Sequence, residues 1–109
     1  MPRFYRAFFR CITDQSANLT LDLLLDDNRR LVDRVPTSGW WGHINGSDVW
    51  PCILKPGGTL DFGESSNSQE RYGEIDLDTR LIVQGEQYEL TYQRSYSVIL
   101  EKLTDIAEL

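Results

Sequence analysis

With 109 residues, of which 40% are hydrophobic and 26% charged, the chain is long enough for one globular domain, residues 1–109, whose core needs no disulfide or metal ion. The formal net charge of −6 disfavours direct contact with nucleic acid or an anionic membrane and favours a basic protein partner. No apolar run approaches the roughly 20 residues of a membrane-spanning helix and no secretory signal is recognisable, so we predict a cytoplasmic location.

The first third of the chain predicts strands, because apolar residues recur at every second position. Two such runs lie within residues 3–13 and 19–25, and residues 29–35 resume the alternation as the returning strand of a hairpin. The inward positions are Tyr5, Ala7, Phe9 and Cys11 in the first run, and Leu19, Leu21, Leu23 and Leu25 in the second. Apolar residues of the second and third runs also recur at helical spacing. The alternative is therefore an α+β fold with a helix across residues 20–35.

Residues 39–51 hold all three tryptophans of the chain, its only histidine, three glycines and a proline. Glycine permits sharp turns, and a tryptophan buries on the order of 200 Å². We interpret the segment as a loop pinned onto the core or as an aromatic surface for a partner. Neighbouring residues of an extended chain point to opposite sides, so Trp40 and Trp41 cannot both face the core. At least one of them is expected to be partly exposed, where it could anchor a partner.

The remaining chain predicts further short strands. Residues 49–54 and 59–63 flank a Pro-Gly-Gly turn, and residues 64–71 form the most polar stretch, which indicates a surface loop. Alternating runs follow at 72–77, 80–83, 86–93 and 96–100, and residues 103–109 suggest a closing helical turn or a tail. The whole predicts a mainly β fold: a single-domain antiparallel barrel or sandwich of about seven or eight short strands, with at most one short helix.

Few residues are candidates for catalysis or metal binding. His43 would have to work with Cys11, Cys52 or Asp48 in a nucleophilic site, yet none of these residues lies in a recognisable catalytic motif. The same residues lack the ligand spacing of a zinc site. We therefore expect no catalytic residue, no metal and no cofactor, and we interpret both cysteines as small buried hydrophobic residues.

Negative charge concentrates in residues 73–109, which hold eight acidic and three basic side chains. Alternation places Glu74, Asp76 and Asp78 on one face, and Glu89 joins them if residues 72–77 and 86–93 form neighbouring strands. Like charges on adjacent strands weaken a sheet, and a basic partner would offset that cost. The four residues therefore form a second candidate surface for a partner.

Two functions are consistent with these features. The first is a non-enzymatic acidic protein-binding module, such as an inhibitor or immunity-type protein that neutralises a basic partner. Its predicted contact residues are Trp40, Trp41, Glu74, Asp76, Asp78 and Glu89. The alternative is a small-ligand-binding barrel with an aromatic pocket. Its predicted lining is Trp40, Trp41, Trp50, Tyr88 and Tyr92, and either function is compatible with a homo-oligomer.

Overall fold

The computed structural model describes residues 1–43, 49–63 and 71–109. Within those ranges the chain forms eight strands: β1 (Arg3–Cys11), β2 (Ala17–Leu25), β3 (Thr37–His43), β4 (Val49–Lys55), β5 (Thr59–Asp61), β6 (Tyr72–Ile75), β7 (Gln87–Tyr92) and β8 (Val98–Glu108). Each strand pairs antiparallel with the next, and β8 pairs antiparallel with β1, so the sheet closes into an up-and-down barrel. The predicted mainly β fold is confirmed, and of its two forms the chain adopts the barrel.

Alternation along the strands separates the core from the surface. On β1, Ala7 and Phe9 face inward and are at most 1% exposed. Phe8, which lies between them, and Phe4, which lies earlier on the strand, point outward and are 37% and 47% exposed. The leucines at positions 19, 21, 23 and 25 of β2 all face the interior, as their spacing predicted. An eight-stranded barrel is just wide enough for such side chains to fill it, so the interior is a packed core along most of its length.

One end of the barrel, which we call the base, is sealed by the connections 26–36 and 76–86. Ile82 of the second connection is fully buried, and its backbone N–H donates a hydrogen bond of 2.8 Å to the carbonyl of Arg29 in the first. Tyr88 fixes the same connection from within the core. Its hydroxyl donates to the carbonyl of Leu81 at 2.7 Å and accepts from the N–H of Val83 at 3.0 Å.

A β-bulge interrupts β8 where it passes β1. Phe9 pairs with Leu103 but Phe8 pairs with Asp105, and Thr104 Oγ1 donates to the carbonyl of Phe8 at 3.0 Å. The extra residue reverses the alternation, so that Leu103 and Ile106 both pack into the core. The predicted helical turn or tail over residues 103–109 is wrong, because the bulge produces the same three-residue spacing of apolar residues as a helix.

Other predicted elements are also corrected. The helix across residues 20–35 is wrong, since residues 20–25 belong to β2 and no helix forms in the described part of the chain. Residues 29–35 and 80–83 contribute isolated bridges rather than strands: Leu31 pairs with Leu25 at the end of β2, and Arg30 pairs with Leu81 of the other connection at the base. The predicted surface loop lies, except for residue 71, outside the described residues. Within the described ranges, no helix has the length and apolar character that a bilayer span requires.

Removing the hydroxyl group of Tyr88 should lower the free energy of unfolding by about 1–2 kcal/mol, because two backbone groups of the base lose their partner. Chemical denaturation of Tyr88→Phe measures the loss, and circular dichroism checks that the barrel is retained. Tyr96→Phe is the matched control, since Tyr96 is 79% exposed and its loss of a hydroxyl should cost less than about 0.5 kcal/mol. Equal losses in the two variants would contradict the role of Tyr88 at the base.

Candidate functional site

The end of the barrel opposite the base, which we call the mouth, contains a pocket of about 260 Å³. The ends of β1, β3 and β7 and the beginnings of β2 and β8 meet there. The apolar part of its wall includes Leu19, Trp41, Leu90, Tyr92 and Ile99. A dry cavity of roughly 150 Å³ is already enough to bind benzene in another protein, so this pocket can accept a small organic molecule.

Trp41 is the centre of a series of aromatic rings across the mouth. Its ring stacks on that of Trp50, with centroids 4.9 Å apart, and meets the ring of Phe62 edge-on at 6.4 Å. Phe62 in turn lies 6.0 Å from Tyr92 on the far side of the pocket. Offset stacking and edge-to-face contacts are favourable for aromatic rings, so Trp41 is held in a defined orientation before any ligand arrives.

The tryptophan-rich segment is strand where the structure describes it. Its prediction as a loop is wrong for residues 39–43, which belong to β3, whereas residues 49–51 belong to β4, in agreement with the strand predicted over 49–54; residues 44–48 lie outside the described ranges. The glycines suggested a turn, but Gly39 serves close packing between β3 and β2. A Cβ atom at Gly39 would lie 2.4 Å from the carbonyl oxygen of Thr20 and 2.6 Å from Cδ2 of Leu21. Glycine is therefore required there for β3 to approach β2 and to place Trp41 over the pocket.

Trp40 points away from the pocket, as expected for the neighbour of Trp41 on an extended strand. It is half-buried on the outer face, where the guanidinium of Arg6 lies 5.0 Å from its ring centroid. Arg6 is itself paired with Asp22 through a hydrogen bond of 2.9 Å. Of the aromatic residues predicted to line a pocket, Trp41 and Tyr92 do so, Trp50 supports Trp41, Tyr88 lies in the core towards the base, and Trp40 lies outside.

Glu101 is a buried carboxyl group in the wall of the pocket. It lies between Cys11 of β1 and Tyr88 of β7 in the register of the sheet, and it is only 6% exposed. Desolvation by this apolar environment raises the pKa of Glu101 from 4.5 to about 7. Its Oε2 has no hydrogen-bond partner among the described residues, and neither has the indole Nε1 of Trp41. Buried polar atoms are seldom left unpaired in native proteins, so both atoms call for an explanation.

The sequence did not single out Glu101, because the alternation around it can be assigned in two ways. Val98 and Leu100 continue the apolar alternation of the preceding run, and this pattern by itself would place them on the inward face. In the structure the chain turns at 93–97, so Val98 and Leu100 face outward and Ile99 and Glu101 face inward. A charged residue flanked at two-residue spacing by Ile99 and Leu103 was the signal that could have indicated a buried carboxyl group.

The candidate residues for catalysis lie apart from each other. His43 is half-exposed at the rim, with Nδ1 3.3 Å from Ser16 Oγ and 3.9 Å from the carboxylate of Asp14. Cys11 and Cys52 are both free and buried, and burial raises the pKa of Cys52 to about 12, so that its thiol stays protonated. Over the described ranges, no three His, Cys, Asp or Glu side chains come together as a metal site would require. Asp48 lies outside those ranges.

The predicted acidic surface is found on the outer face of β6 and β7. Asp76 and Glu89 are neighbours, since the backbone N–H of Asp76 donates to the carbonyl of Glu89 at 3.2 Å, and Glu74 lies two residues away on the same face. Asp78 follows in the connection at the base and is exposed. In the order of strands around the barrel, β7 lies opposite β3. The acidic residues and Trp40 therefore belong to different sides of the molecule.

Two of these carboxylates form hydrogen bonds or an ion pair with other residues of the protein. Asp76 accepts a hydrogen bond of 2.8 Å from the backbone N–H of Glu89 and lies 3.4 Å from Arg80. Glu74 accepts hydrogen bonds from Thr59 at 2.9 Å and Gln93 at 2.8 Å. These contacts offset part of the repulsion that the sequence suggested for this face.

Comparisons with protein-family models, with curated proteins and with solved structures give no match. Function must therefore be inferred from the geometry of the site itself, above all from the pocket and its buried carboxyl group.

Glu101 should make the protein less stable at neutral pH than at acidic pH. Because its pKa is about 7 in the folded state and 4.5 without burial, the unfolded chain releases the proton first as the pH rises. The free energy of unfolding should therefore fall across that window, by up to about 3 kcal/mol, and level off above it. Denaturation curves recorded at a series of pH values measure this fall.

Glu101→Gln removes the titrating group and keeps the shape of the side chain. It should be more stable than the wild-type protein above pH 7, and the difference should vanish below pH 4.5. Glu89→Gln, which alters an exposed carboxylate on the outer face of the adjacent strand, should follow the wild-type profile. A constant difference between Glu101→Gln and the wild type across the whole pH range would show that Glu101 is not desolvated.

Proposed function

We propose that this protein is a non-enzymatic binding protein for a small organic ligand, which it holds in the mouth of the barrel. The observation that carries the proposal is the pocket of about 260 Å³ whose wall contains the buried carboxyl group of Glu101, with its Oε2 unpaired among the described residues. A carboxyl group at this depth costs stability in the free protein. A ligand that hydrogen-bonds to it would recover that cost.

The composition of the wall suits this role. Ligand sites in proteins are mostly apolar, with a few polar groups that fix the orientation of the ligand. Here Leu19, Leu90 and Ile99 supply apolar surface and Trp41 and Tyr92 supply aromatic rings. Each 100 Å² of apolar ligand surface buried among them would contribute roughly 2.5 kcal/mol before the entropy cost of binding.

The architecture also favours a preformed site. The base is closed by hydrogen bonds between its two connections, and the rings at the mouth hold one another in place. A pocket that keeps its shape without ligand does not lose binding energy to reorganisation. The closed barrel therefore supports binding at one end without a large conformational change.

Filling the pocket with a larger side chain should abolish ligand binding. Benzyl alcohol is a suitable first probe, since it has an aromatic ring and one group that both donates and accepts hydrogen bonds. NMR titration of the wild type should show saturable shifts at residues of the mouth, and Ile99→Trp should weaken binding at least tenfold because the indole occupies the space. Leu100→Trp is the matched control, since Leu100 is the next residue, faces outward and is 38% exposed. Equal binding by the two variants would contradict the site.

A second candidate function is the binding of a basic protein to the outer face of β6 and β7. It is favoured by the placement of Glu74, Asp76 and Glu89 on adjacent positions of one surface. Electrostatic attraction of this kind mainly accelerates association and weakens with salt.

Charge reversal tests this second function. Capture from the source cells with the wild-type protein should retain a basic partner that Glu89→Lys loses. Asp27→Lys makes the same change of net charge at an exposed position of the base and should keep the partner. Equal retention by the two variants would exclude the acidic face as the contact surface.

A further inference from the structure

The charge of the pocket wall narrows the class of ligand, an inference that rests on the proposed function. Glu101 and Asp14 are its acidic members, and none of the described residues that line it is a lysine, arginine or histidine. Asp14 lies at the rim, half-exposed, where hydrogen bonds from the Oγ and the backbone N–H of Ser16 hold its pKa below the usual value. It therefore stays negatively charged at neutral pH, and together the two carboxyl groups give the pocket a negative potential.

Three kinds of ligand group can be compared at Glu101. An anionic group would be repelled by both carboxylates and would find no cation in the described wall. A neutral hydroxyl or amide could donate a hydrogen bond to the ionised Glu101, but it would leave that charge buried and uncompensated. An ammonium group donates a charge-assisted hydrogen bond and neutralises the carboxylate at once. Of the three, the ammonium group is therefore the one that removes the cost of burying the charge of Glu101.

The aromatic residues favour the same kind of ligand. Cations bind to the faces of tryptophan and tyrosine rings through electrostatic attraction, and this attraction is stronger when water is excluded. Trp41 and Tyr92 line the pocket that Glu101 enters, while Leu19 and Leu90 can contact an apolar body. We propose that the pocket selects small organic ammonium ions, with Glu101 as the counterion and Trp41 and Tyr92 as the aromatic walls.

Binding should depend on pH, because a proton on Glu101 competes with the ligand. The pKa of Glu101 is about 7 in the free protein, and the other titratable groups around it are Cys11 of β1, Tyr88 and Tyr92 of β7 and Asp14 at the rim. An alkylammonium group keeps its proton throughout the neutral range, as a lysine side chain does. Affinity should therefore fall about tenfold between about pH 8 and about pH 6, as the ionised fraction of Glu101 falls.

Calorimetric titration with three probes of similar size tests the proposal: benzylamine, benzyl alcohol and benzoate. At about pH 8 the wild-type protein should bind benzylamine at least tenfold more tightly than benzyl alcohol, and benzoate least tightly. Glu101→Gln should lose the preference for benzylamine and also its pH dependence. Glu89→Gln, with the same loss of charge on the outer face, should keep both.

The titrations distinguish the selection of ammonium ions from ligand binding in the mouth as such. If benzyl alcohol binds in the mouth as tightly as benzylamine, or if Glu101→Gln keeps the preference, the selection of ammonium ions is overturned while the pocket remains a binding site. If none of the three probes binds and Ile99→Trp behaves as the wild type does, the ligand-binding function is overturned as well. Because Glu101→Gln is expected to be the more stable protein at this pH, loss of binding in it cannot be attributed to unfolding.

Discussion

The pairing of β8 with β1 is the constraint on which the rest of the structure depends. Once this seam closes the sheet, the inward side chains of all strands share one narrow interior, and a residue can leave it only if the register changes. Closure also removes the free edges at which β-sheets associate with other chains. The space not filled by inward side chains is therefore expected at the ends of the barrel, and the connections 26–36 and 76–86 close the base.

The two ends of the barrel differ in how they satisfy their polar groups. At the base, Tyr88 and the two connections supply partners for each other, and Ile82 fills the interior between them. At the mouth, Glu101 and Trp41 keep polar atoms buried without a partner among the described residues. The paired groups at the base stabilise the fold, whereas the two unpaired atoms in the wall of the pocket make stability lower than the same core could provide. Such a loss at a concave site is typical of binding sites.

Sequence patterns predicted the fold class well where a strand has one buried and one exposed face. The runs in β1 and β2 show clean alternation, and their inward residues were identified correctly. The pattern failed where a tertiary contact decides the conformation. Gly39 indicated a turn in the sequence, but its lack of a side chain serves the approach of β3 to β2. The connections at the base were predicted as strands because they contain apolar residues. In the structure these connections close the end of the barrel.

The site was harder to predict than the fold, for a related reason. Trp41 and Tyr92 were recognised as candidates because large aromatic residues are conspicuous in any sequence. Glu101 was not, because both faces of the segment after Val98 carry apolar residues, and only the turn before it determines which face is inward. The separation of Trp40 from the acidic face likewise follows from the position of β3 and β7 on opposite sides of the ring, which local patterns do not encode.

The bulge at Thr104 divides β8 into two stretches with independent phase. On one side of it, Ile99, Glu101 and Leu103 point into the barrel; on the other, Ile106 does, and each stretch pairs with β1 in its own register. The stretch before the bulge pairs with β7 on one side and with the end of β1 on the other, whereas the stretch after it pairs with β1 alone. This single inserted residue therefore lets one strand follow two registers while apolar side chains on both sides of it still point into the barrel.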